Sequence, residues 1–211
     1  KAKDGKEDPT KGFVFIQFLS DVIKSINRDR ERKRLPKKTV KLAVLLPVSA
    51  AIGTSSILQT SKAEMLKDNR LEAVFTLPSE IFYPGAAVNV CCMVFTLGLP
   101  HQNADGTTNE TFFGFYREDG FKKKKNLGRI EQFDADGNSK WRKIEEDWLK
   151  LFRNKKVVDG LSATAEVTAD DEWLCEAYMK TDYSTLSQED FQQTLNNYLS
   201  FLVKEGNLYE A

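Results

Sequence analysis

The chain begins with an apolar stripe spaced like one face of a helix, and three short apolar runs follow it. Apolar residues recur at intervals of three and four residues, which predicts an amphipathic helix. These residues are Phe15, Phe18, Leu19, Val22, Ile23 and Ile26. The three apolar runs are Val40–Leu46, Leu71–Leu77 and Val88–Leu97. Runs of this length predict strands, and the first run suits a strand buried on both faces of a parallel sheet.

The segment between the first two runs predicts a second helix. Ser61-Lys-Ala-Glu64 has the pattern of a capping box, which starts or reinforces a helix, and this helix is expected to end near Asn69. The predicted order is then helix, strand, helix, strand, loop and strand. This order is typical of the second half of a doubly wound α/β sheet that ends in a hairpin-like pair of strands.

The second half of the chain shows one more strand and three helix signals. Phe112–Tyr116 is a short aromatic run that predicts a strand. A helical stripe follows and comprises Trp141, Ile144, Trp148, Leu151 and Phe152. Thr168–Asp171 resembles a capping box at the start of a helix carrying Trp173 and Tyr178, and Ser187–Asp190 starts the last helix. The sheet is therefore followed by a predicted helical extension.

The charge balance hides two unlike regions. The 211 residues include 31 Lys and Arg and 31 Asp and Glu. Residues 1–165 contain 29 basic and 21 acidic residues, whereas residues 166–211 contain two basic and ten acidic ones. The neutral total therefore does not exclude a nucleic-acid partner. Segment 28–38 and the run Lys122–Lys125 with Arg129 are candidate phosphate contacts, although such runs are commonly just solvated faces.

Residue counts exclude several kinds of chemistry. The single His leaves little for a zinc site or a Ser-His-Asp triad, and the three Cys are too few for a disulfide scaffold. Cys91 and Cys92 are neighbours in an apolar run, so they are interpreted as small core residues of a reduced, cytoplasmic protein. Apolar stretches of about ten residues are too short to span a membrane. A start at Lys1 suggests a piece of a longer protein.

One stretch carries a specific resemblance. Arg70–Gly85 reads RLEAVFTLPSEIFYPG, and NVCCMVF follows from Asn89. These motifs resemble the modification (methylase) subunits of type I restriction systems, which are adenine-N6-specific DNA methyltransferases that use S-adenosylmethionine. The run that ends at Pro47 and the helix from Phe13 resemble the family's preceding elements. Downstream segments, including Phe113–Phe121, resemble a C-terminal extension of one branch, so the resemblance covers nearly the whole chain.

This resemblance implies a fold and a division of the chain. Residues 1–118 would be the C-terminal half of a Rossmann-like methyltransferase catalytic domain, and residues 119–211 a basic loop with a helical C-terminal extension. The family's catalytic Asn-Pro-Pro-Tyr motif and its glycine-rich cofactor loop are absent from this sequence. That tetrapeptide orients the adenine amino group toward the methyl donor, and positioning supplies most of the catalysis. The chain alone is therefore expected to be inactive.

The resemblance also suggests site residues, each with a plainer alternative. Phe15 matches the aromatic residue that packs on the adenine of S-adenosylmethionine; the plainer interpretation, which we favour, is the first core residue of the stripe. Phe82 and Tyr83 match the loop that stacks on a flipped target base; the plainer interpretation, again favoured, is a pair of loop aromatic residues closing the sheet edge. Positional contacts to DNA are assigned to Lys122, Lys123, Lys124, Lys125 and Arg129. No metal ligand is predicted.

The intact protein is thus expected to transfer methyl from S-adenosylmethionine to adenine in duplex DNA. The resemblance implies a specificity subunit that reads the DNA sequence, with a restriction subunit and a second copy as further candidate partners. The acidic C-terminal helices offer a surface for such a partner, or pack against the sheet. One alternative is a non-catalytic module with a degenerate methyltransferase fold that binds DNA or partner proteins. Another is a methyltransferase acting on RNA or a small molecule.

Overall fold

The computed structural model describes residues 8–184 and 186–205, which form a mixed α/β structure. Its helices are α1 (Phe13–Arg32), α2 (Val48–Ile52), α3 (Ser56–Asp68), α4 (Lys140–Arg153) and α5 (Gln188–Glu205), with a 3-10 turn at Cys175–Ala177. Its strands are β1 (Val40–Pro47), β2 (Asn69–Thr76), β3 (Val90–Leu97), β4 (Glu110–Phe115), β5 (Phe121–Lys124), β6 (Gly128–Glu131) and β7 (Ser162–Glu166). The expected α/β class with a C-terminal helix is confirmed.

Five strands form one mixed sheet in the order β1-β3-β2-β4-β7. Strands β2 and β4 pair in parallel, and the other three pairings are antiparallel. Because β1 and β2 both run antiparallel to β3, the strands β1, β2 and β4 share one direction. The expected hairpin-like pair is confirmed, since β3 lies directly beside β2. This arrangement places the carboxyl ends of β1, β2 and β4 on the same side of the sheet, where these three strands finish.

Strand β1 lies at an edge of the sheet, which corrects the expectation of a strand buried on both faces of a parallel sheet. In the described part of the chain it pairs with β3 alone, and the pairing is antiparallel. Val40 and Val44 are half-buried, whereas Ala43 and Leu45 on the opposite face are exposed. The prediction was wrong because apolar residues occupy both faces of this strand, so the sequence shows no alternation.

The main core fills the space between one face of the sheet and helices α1, α2 and α3. Trp173 and Phe13 are fully buried there, with their ring centroids 5.9 Å apart in an edge-on contact. Gly12 opens α1 with φ +99°, and a Cβ on it would lie 2.8 Å from Leu46, so this close approach requires glycine. Cys91 is also fully buried, as predicted for a core cysteine, and burial raises its pKa to about 12.

Helix α1 confirms only part of the predicted stripe, since Ile23 is buried and Leu19 packs against the core. Its buried residues are Phe13, Ile16, Ser20, Ile23 and Asn27. Ser20 donates to Asn69 Oδ1 at 3.0 Å, and the side chain of Asn27 bonds both backbone groups of Lys38. The predicted stripe members Phe15, Phe18 and Val22 are instead 58%, 63% and 41% exposed. The prediction failed because two core positions are polar residues with buried hydrogen bonds, which a count of apolar residues omits.

Helix α3 begins earlier than the predicted capping box at Ser61–Glu64. The cap is Ser55, whose hydroxyl accepts a hydrogen bond from the backbone of Leu58 at 3.4 Å. Ser61 lies inside the helix and donates to the carbonyl of Ile57 at 2.9 Å. The predicted end is confirmed, since Asn69 is the residue that follows the last turn. Several Ser and Thr residues in this segment could have served as caps, so the sequence did not distinguish them.

The segment after β7 is a turn, and the helix predicted to carry Trp173 and Tyr178 is wrong. Thr168 does bond Asp171 as a capping box would, with its backbone and hydroxyl both 2.7 Å from Oδ2. The backbone N–H of Trp173, however, donates to the carbonyl of Ala51 at 3.2 Å. Its indole N–H donates to the carbonyl of Thr168 at 2.8 Å. The bond to Ala51 uses a backbone donor that a helix would have used, and the indole bond fixes the side chain, so only the short 3-10 turn follows.

The C-terminal extension is only partly helical. Helix α4 confirms the predicted aromatic stripe, with Trp148 and Phe152 packing edge-on against Phe75 of β2 at 6.0 and 5.6 Å between ring centroids. The predicted basic loop is a hairpin of β5 and β6, and β7 adds a further strand to the sheet. The division between residues 118 and 119 stays a prediction.

Helix α5 lies in a second compact unit, Thr181–Ala211, separate from the unit Lys1–Lys180. The predicted start at Ser187–Asp190 is confirmed, because the Ser187 hydroxyl donates to Asp190 Oδ2 at 2.7 Å and accepts from its backbone at 3.3 Å. The helix carries exposed Phe191, Leu195, Tyr198 and Leu199. No helix within residues 8–184 and 186–205 is long and apolar enough to cross a membrane.

Candidate functional site

A cleft lies at the edge of the sheet where β1, β2 and β4 end. Its volume is about 520 Å³, and its lining includes Val48, Thr76, Asn89, Tyr116 and Glu176. In open α/β sheets, ligand sites commonly lie at the carboxyl ends of parallel strands. The backbone N–H of Val48 donates to the carbonyl of Asn89 at 3.0 Å, which joins the ends of β1 and β3 at this edge. The cleft is thus the candidate site.

Two polar side chains give the cleft its chemistry. The Thr76 hydroxyl donates to Glu176 Oε2 at 2.6 Å, so this carboxylate is held at the end of β2. The Tyr116 hydroxyl is buried and has no hydrogen-bond partner among the described residues. Burial raises the pKa of Tyr116, so the phenol stays protonated at neutral pH. Its ring packs edge-on against Trp148, with centroids 5.2 Å apart. The wall therefore combines a packed aromatic ring with one carboxylate that is held by a hydrogen bond.

A second cavity of about 310 Å³ lies next to the first. The two share Pro78, Ser79, Arg117 and Glu118. The far end of the second cavity is lined by residues of the β5–β6 hairpin and of helix α4. The strand ends and the basic hairpin thus border two adjacent cavities.

The loop after β2 carries the predicted pair Phe82 and Tyr83. Its backbone is folded on itself, because the N–H groups of Gly85 and Ala86 both donate to the carbonyl of Phe82, at 2.7 and 3.1 Å. The peptide bond between Tyr83 and Pro84 is cis. Phe82 is 39% exposed, while Tyr83 is half-buried. In this loop the ring of Phe82 is therefore accessible to solvent, while the ring of Tyr83 is partly covered by the protein.

The structure brings the predicted loop and the predicted basic run together, although 40 residues separate Tyr83 from Lys123. The ammonium of Lys123 lies 4.2 Å from the centroid of the Tyr83 ring and 2.8 Å from Glu80 Oε1. At the hairpin turn, a Cβ on Gly128 would lie 3.8 Å from Pro84 Cδ. We call the aromatic loop of residues 79–85 and the hairpin of residues 119–132 together the loop–hairpin cluster.

The predicted basic residues differ in how much of their charge is available. Arg129 forms a two-pronged ion pair with Asp119, at 2.6 and 2.7 Å, and its side chain is only 15% exposed. Lys123 is paired with Glu80. Lys122, Lys124 and Lys125 are exposed, and none of them forms an ion pair with a described residue. These three lysines are therefore the better candidates for contact with an external anion.

Phe15 lies outside the loop–hairpin cluster. It projects from α1 and is 58% exposed, so the interpretation of Phe15 as a core residue is wrong. Within the described ranges, no hydrogen bond, ion pair or ring contact joins it to Phe82, Tyr83 or the hairpin. The neighbouring Phe13 fills the core position instead. Phe15 is thus free to contact a cofactor or another segment.

Sequence reasoning missed the residues that hold the site together. Glu80 and Asp119 are the anionic partners of the basic hairpin, and Tyr116 and Glu176 line the cleft. A signal for Asp119 existed in the Asp-Gly turn, whereas Glu176 lies 100 residues from Thr76 and gave none. Among residues 8–184 and 186–205, no group of three or more His, Cys, Asp and Glu side chains could hold a metal ion.

Known proteins resemble this chain in sequence and fold. No family model matches it. It is 29% identical over 161 residues to the type II restriction enzyme and methyltransferase RM.BcgI of Heyndrickxia coagulans, covering 76% of this chain and 24% of that protein. A type I restriction-modification methyltransferase subunit from Streptococcus thermophilus matches at 16% identity and TM-score 0.47, covering 66% of this chain and 26% of that one. A chain from a structure of a type I R-M system matches at 15% identity and TM-score 0.45. The match covers 83% of this chain and 37% of that one.

The resemblance to restriction-modification methyltransferases that the motifs around Arg70–Gly85 predicted is confirmed by the match to RM.BcgI. The chain spans about a quarter of the length of this curated relative, 24%. It is accordingly comparable with one part of a larger restriction-modification methyltransferase.

Proposed function

We propose that this chain is the C-terminal half of the catalytic domain, with a C-terminal extension, of an adenine-N6 DNA methyltransferase of the type I modification-subunit kind. The complete enzyme transfers a methyl group from S-adenosylmethionine to adenine in duplex DNA. The observation that carries the proposal is the loop–hairpin cluster, in which an exposed aromatic ring and free lysines adjoin a cleft at the strand ends. An adenine removed from its duplex needs such a combination.

The aromatic loop supplies the wall for the target base in this proposal. A flipped base has lost the stacking of the duplex, and an aromatic side chain restores part of that energy. Phe82 offers its ring to solvent, while Tyr83 is supported by Lys123. The pair therefore acts as one exposed platform backed by one fixed ring.

The hairpin supplies contacts to the DNA backbone. Lys122, Lys124 and Lys125 carry charges with no described ionic partner, so each can neutralise a phosphate and release a counterion. Such contacts fix the position of the duplex and carry no sequence information by themselves. Arg129 serves to hold the hairpin, since its charge is already used by Asp119.

S-adenosylmethionine would supply the methyl group. Phe15 fits the role of packing on its adenine ring, because the side chain is exposed on α1 and has no other ring partner among the described residues. The Asn-Pro-Pro-Tyr motif that would orient the substrate amine does not occur in this sequence. We therefore expect no methyl transfer, and no measurable S-adenosylmethionine binding by calorimetry, from these 211 residues alone.

The uncovered surfaces of α1 and β1 suggest where the other half of the domain would pack. Strand β1 has one edge without a described partner, and long apolar edges of this kind are normally paired or covered. A strand joined to β1 through α1 would form a βαβ unit, whose two strands run parallel, and this edge of β1 is free to pair with it. The exposed Phe15, Phe18 and Val22 of α1 would then also be covered.

The partners proposed are a specificity subunit that reads the sequence, a restriction subunit and a second copy of the chain. The exposed apolar residues of α5 and the acidic character of residues 166–211 support a protein-binding role for this helix. DNA is the partner of the basic region, and α5 is the candidate for the protein contact.

The test is a methylation assay on the complete gene product, purified with its specificity partner. Unmethylated duplex DNA and RNA are each incubated with tritiated S-adenosylmethionine, and the modified base is identified by mass spectrometry. N6-methyladenine in duplex DNA is the expected product. Label in RNA alone would refute the DNA assignment. A gene that encodes no Asn-Pro-Pro-(Tyr/Phe) motif would favour the alternative of a non-catalytic binding module.

A further inference from the structure

Lys123 differs from the other lysines of its run in having all its contacts with the aromatic loop. Its ammonium lies between Glu80 Oε1, at 2.8 Å, and the ring of Tyr83, at 4.2 Å from the centroid. The hydrogen bond to Glu80 raises the pKa of Lys123, so the ammonium stays charged. Since its charge is paired within the protein, a phosphate would have to compete with this carboxylate. Lys123 is therefore poorly placed to act as a DNA contact.

The hairpin that carries Lys123 is itself anchored. Asp119 holds Arg129 through two short bonds and also accepts from the backbone of Phe121 at 3.0 Å. The backbone N–H of Gln132 donates to the carbonyl of Gly120 at 2.8 Å. Strand register places Lys123 directly opposite Arg129. The backbone of Lys123 is therefore held in place by the hairpin, and its side chain extends from there to the loop.

We propose that Lys123 is a positioning residue: it holds the ring of Tyr83 from the anchored hairpin and thereby fixes the loop that presents Phe82. This inference rests on the proposed function for the identity of the bound base, but not for the contacts themselves. The cation–π contact and the ion pair act on two points of the same loop, Tyr83 and Glu80. The loop and the phosphate-contacting lysines then keep a constant spacing.

The experiment compares three variants of the complete gene product. Lys123→Gln removes both contacts, Lys123→Arg keeps both, and Lys150→Gln removes an exposed charge on α4 as the matched control. Two quantities are measured: amide hydrogen exchange in the loop, and steady-state methyl transfer to unmethylated bacteriophage DNA. The informative amides are those of Ile81, Tyr83, Gly85 and Ala86, which donate bonds within the loop.

For Lys123→Gln we expect faster exchange at these amides and a kcat lower by roughly 3- to 10-fold, with KM for DNA within about twofold. A positioning residue alters the geometry of the reacting base rather than the phosphate contacts, so kcat carries the effect. Lys123→Arg is expected to restore both quantities, and Lys150→Gln to leave both unchanged.

Two results would overturn the inference. One is unchanged loop exchange and unchanged kcat in Lys123→Gln. The other is a raised KM and a weaker salt dependence of DNA binding at unchanged kcat, which would make Lys123 a phosphate contact. If the parent protein transfers no methyl group to DNA while Lys123→Gln alone loosens the loop, the proposed function fails and the positioning role stands.

Discussion

Two basic segments lie at opposite ends of the strands of the sheet. We call the side where β1, β2 and β4 begin the amino edge, and the side where they end the carboxyl edge. Segment 28–38, with seven basic and two acidic residues, precedes the amino end of β1. Arg28 and Lys37 line a small cleft there beside Gly98, which follows β3. The lysines of the β5–β6 hairpin instead lie beside the loop that follows the carboxyl end of β2. The eight residues of β1 span roughly 26 Å, so the two edges are about one strand length apart.

The two segments use their charges differently. At the amino edge, Arg30 Nε donates to the carbonyl of Pro36 at 2.7 Å, and Lys33 pairs with exposed Asp29 at 2.8 Å. At the carboxyl edge, Lys123 contacts the aromatic loop. Both segments border a cavity, and the hairpin lies in addition beside the loop that carries the exposed ring of Phe82. A basic run is therefore better interpreted from its neighbours than from its charge.

The largest expected effect concerns the ion pairs of the two segments. Asp119→Asn leaves the half-buried guanidinium of Arg129, 15% exposed, without its counter-charge, and we expect the free energy of unfolding to fall by about 3 kcal/mol. The matched change at the amino edge, Asp29→Asn, removes a pair whose side chains are 57% and 64% exposed, and should cost less than about 1 kcal/mol. Urea denaturation of the chain measures both values.

Equal losses in these two variants would mean that the hairpin is no better anchored than the amino-edge segment. The double variant Asp119→Asn with Arg129→Met separates the pair from its parts. The double variant should recover most of the free energy of unfolding that Asp119→Asn loses. The reason is that the main cost in the single variant is the unpaired charge of Arg129, and the double variant removes this charge.

The second prediction compares exposed apolar side chains beside the two basic segments. Phe82→Ala and Tyr83→Ala in the complete enzyme should lower turnover on duplex DNA by roughly 10- to 100-fold, since stacking a base contributes about 1–3 kcal/mol. Leu35, 47% exposed among the amino-edge charges, is the control, and Leu35→Ala should leave turnover unchanged. Unchanged turnover in the two loop variants would return both rings to a purely structural role.

The third prediction compares charge removal at the two edges. Lys124→Gln with Lys125→Gln should weaken binding to duplex DNA and reduce the slope of log K against log salt by about 1 for each lost phosphate contact. Arg32→Gln with Lys33→Gln at the amino edge should leave the slope nearly unchanged. Fluorescence anisotropy over a salt series measures both. A larger change from the amino-edge pair would move the DNA surface to the opposite edge of the sheet.

Much of this comparison could be predicted from the sequence, but its geometry could not. Continuous apolar runs located strands β1 to β3, an apolar stripe located helix α4, and a capping pattern located the start of α5, because burial and capping impose these patterns. Periodicity assigned the face of α1 only in part, since Ser20 and Asn27 are buried with hydrogen-bond partners that lie outside the helix. Local motifs failed where tertiary bonds used the same donors, as at Trp173.

The candidate site shows the same limit. Phe82, Tyr83 and Lys123 were each suggested by resemblance or by charge, yet no pattern indicated that two of them touch. Pairings such as Asp119 with Arg129 or Thr76 with Glu176 depend on where strands and turns meet in space. The sequence therefore identifies candidate site residues one at a time, but it does not give the distances between them that define the site.

The smallest expected effect concerns the single histidine, which follows β3 at the amino edge. His101 is 2% exposed, and neither ring nitrogen has a hydrogen-bond partner among the described residues. Burial lowers the pKa of His101, and the charges of Arg70 and Lys155 lower it further, against the opposing effect of Glu72. The folded protein thus keeps this ring neutral at pH values where the unfolded chain, with a pKa near 6.5, already binds a proton.

Because the unfolded state binds more protons in that window, stability is fully present above about pH 6.5 and is lost as pH falls through the lowered pKa of the folded state. The loss cannot exceed about 1.4 kcal/mol per pH unit for one proton. Urea denaturation between pH 7 and pH 5 should show this decline in the parent chain, and His101→Gln should flatten it. No other histidine occurs in the sequence, so an equally steep decline in His101→Gln would assign the effect to carboxylates instead.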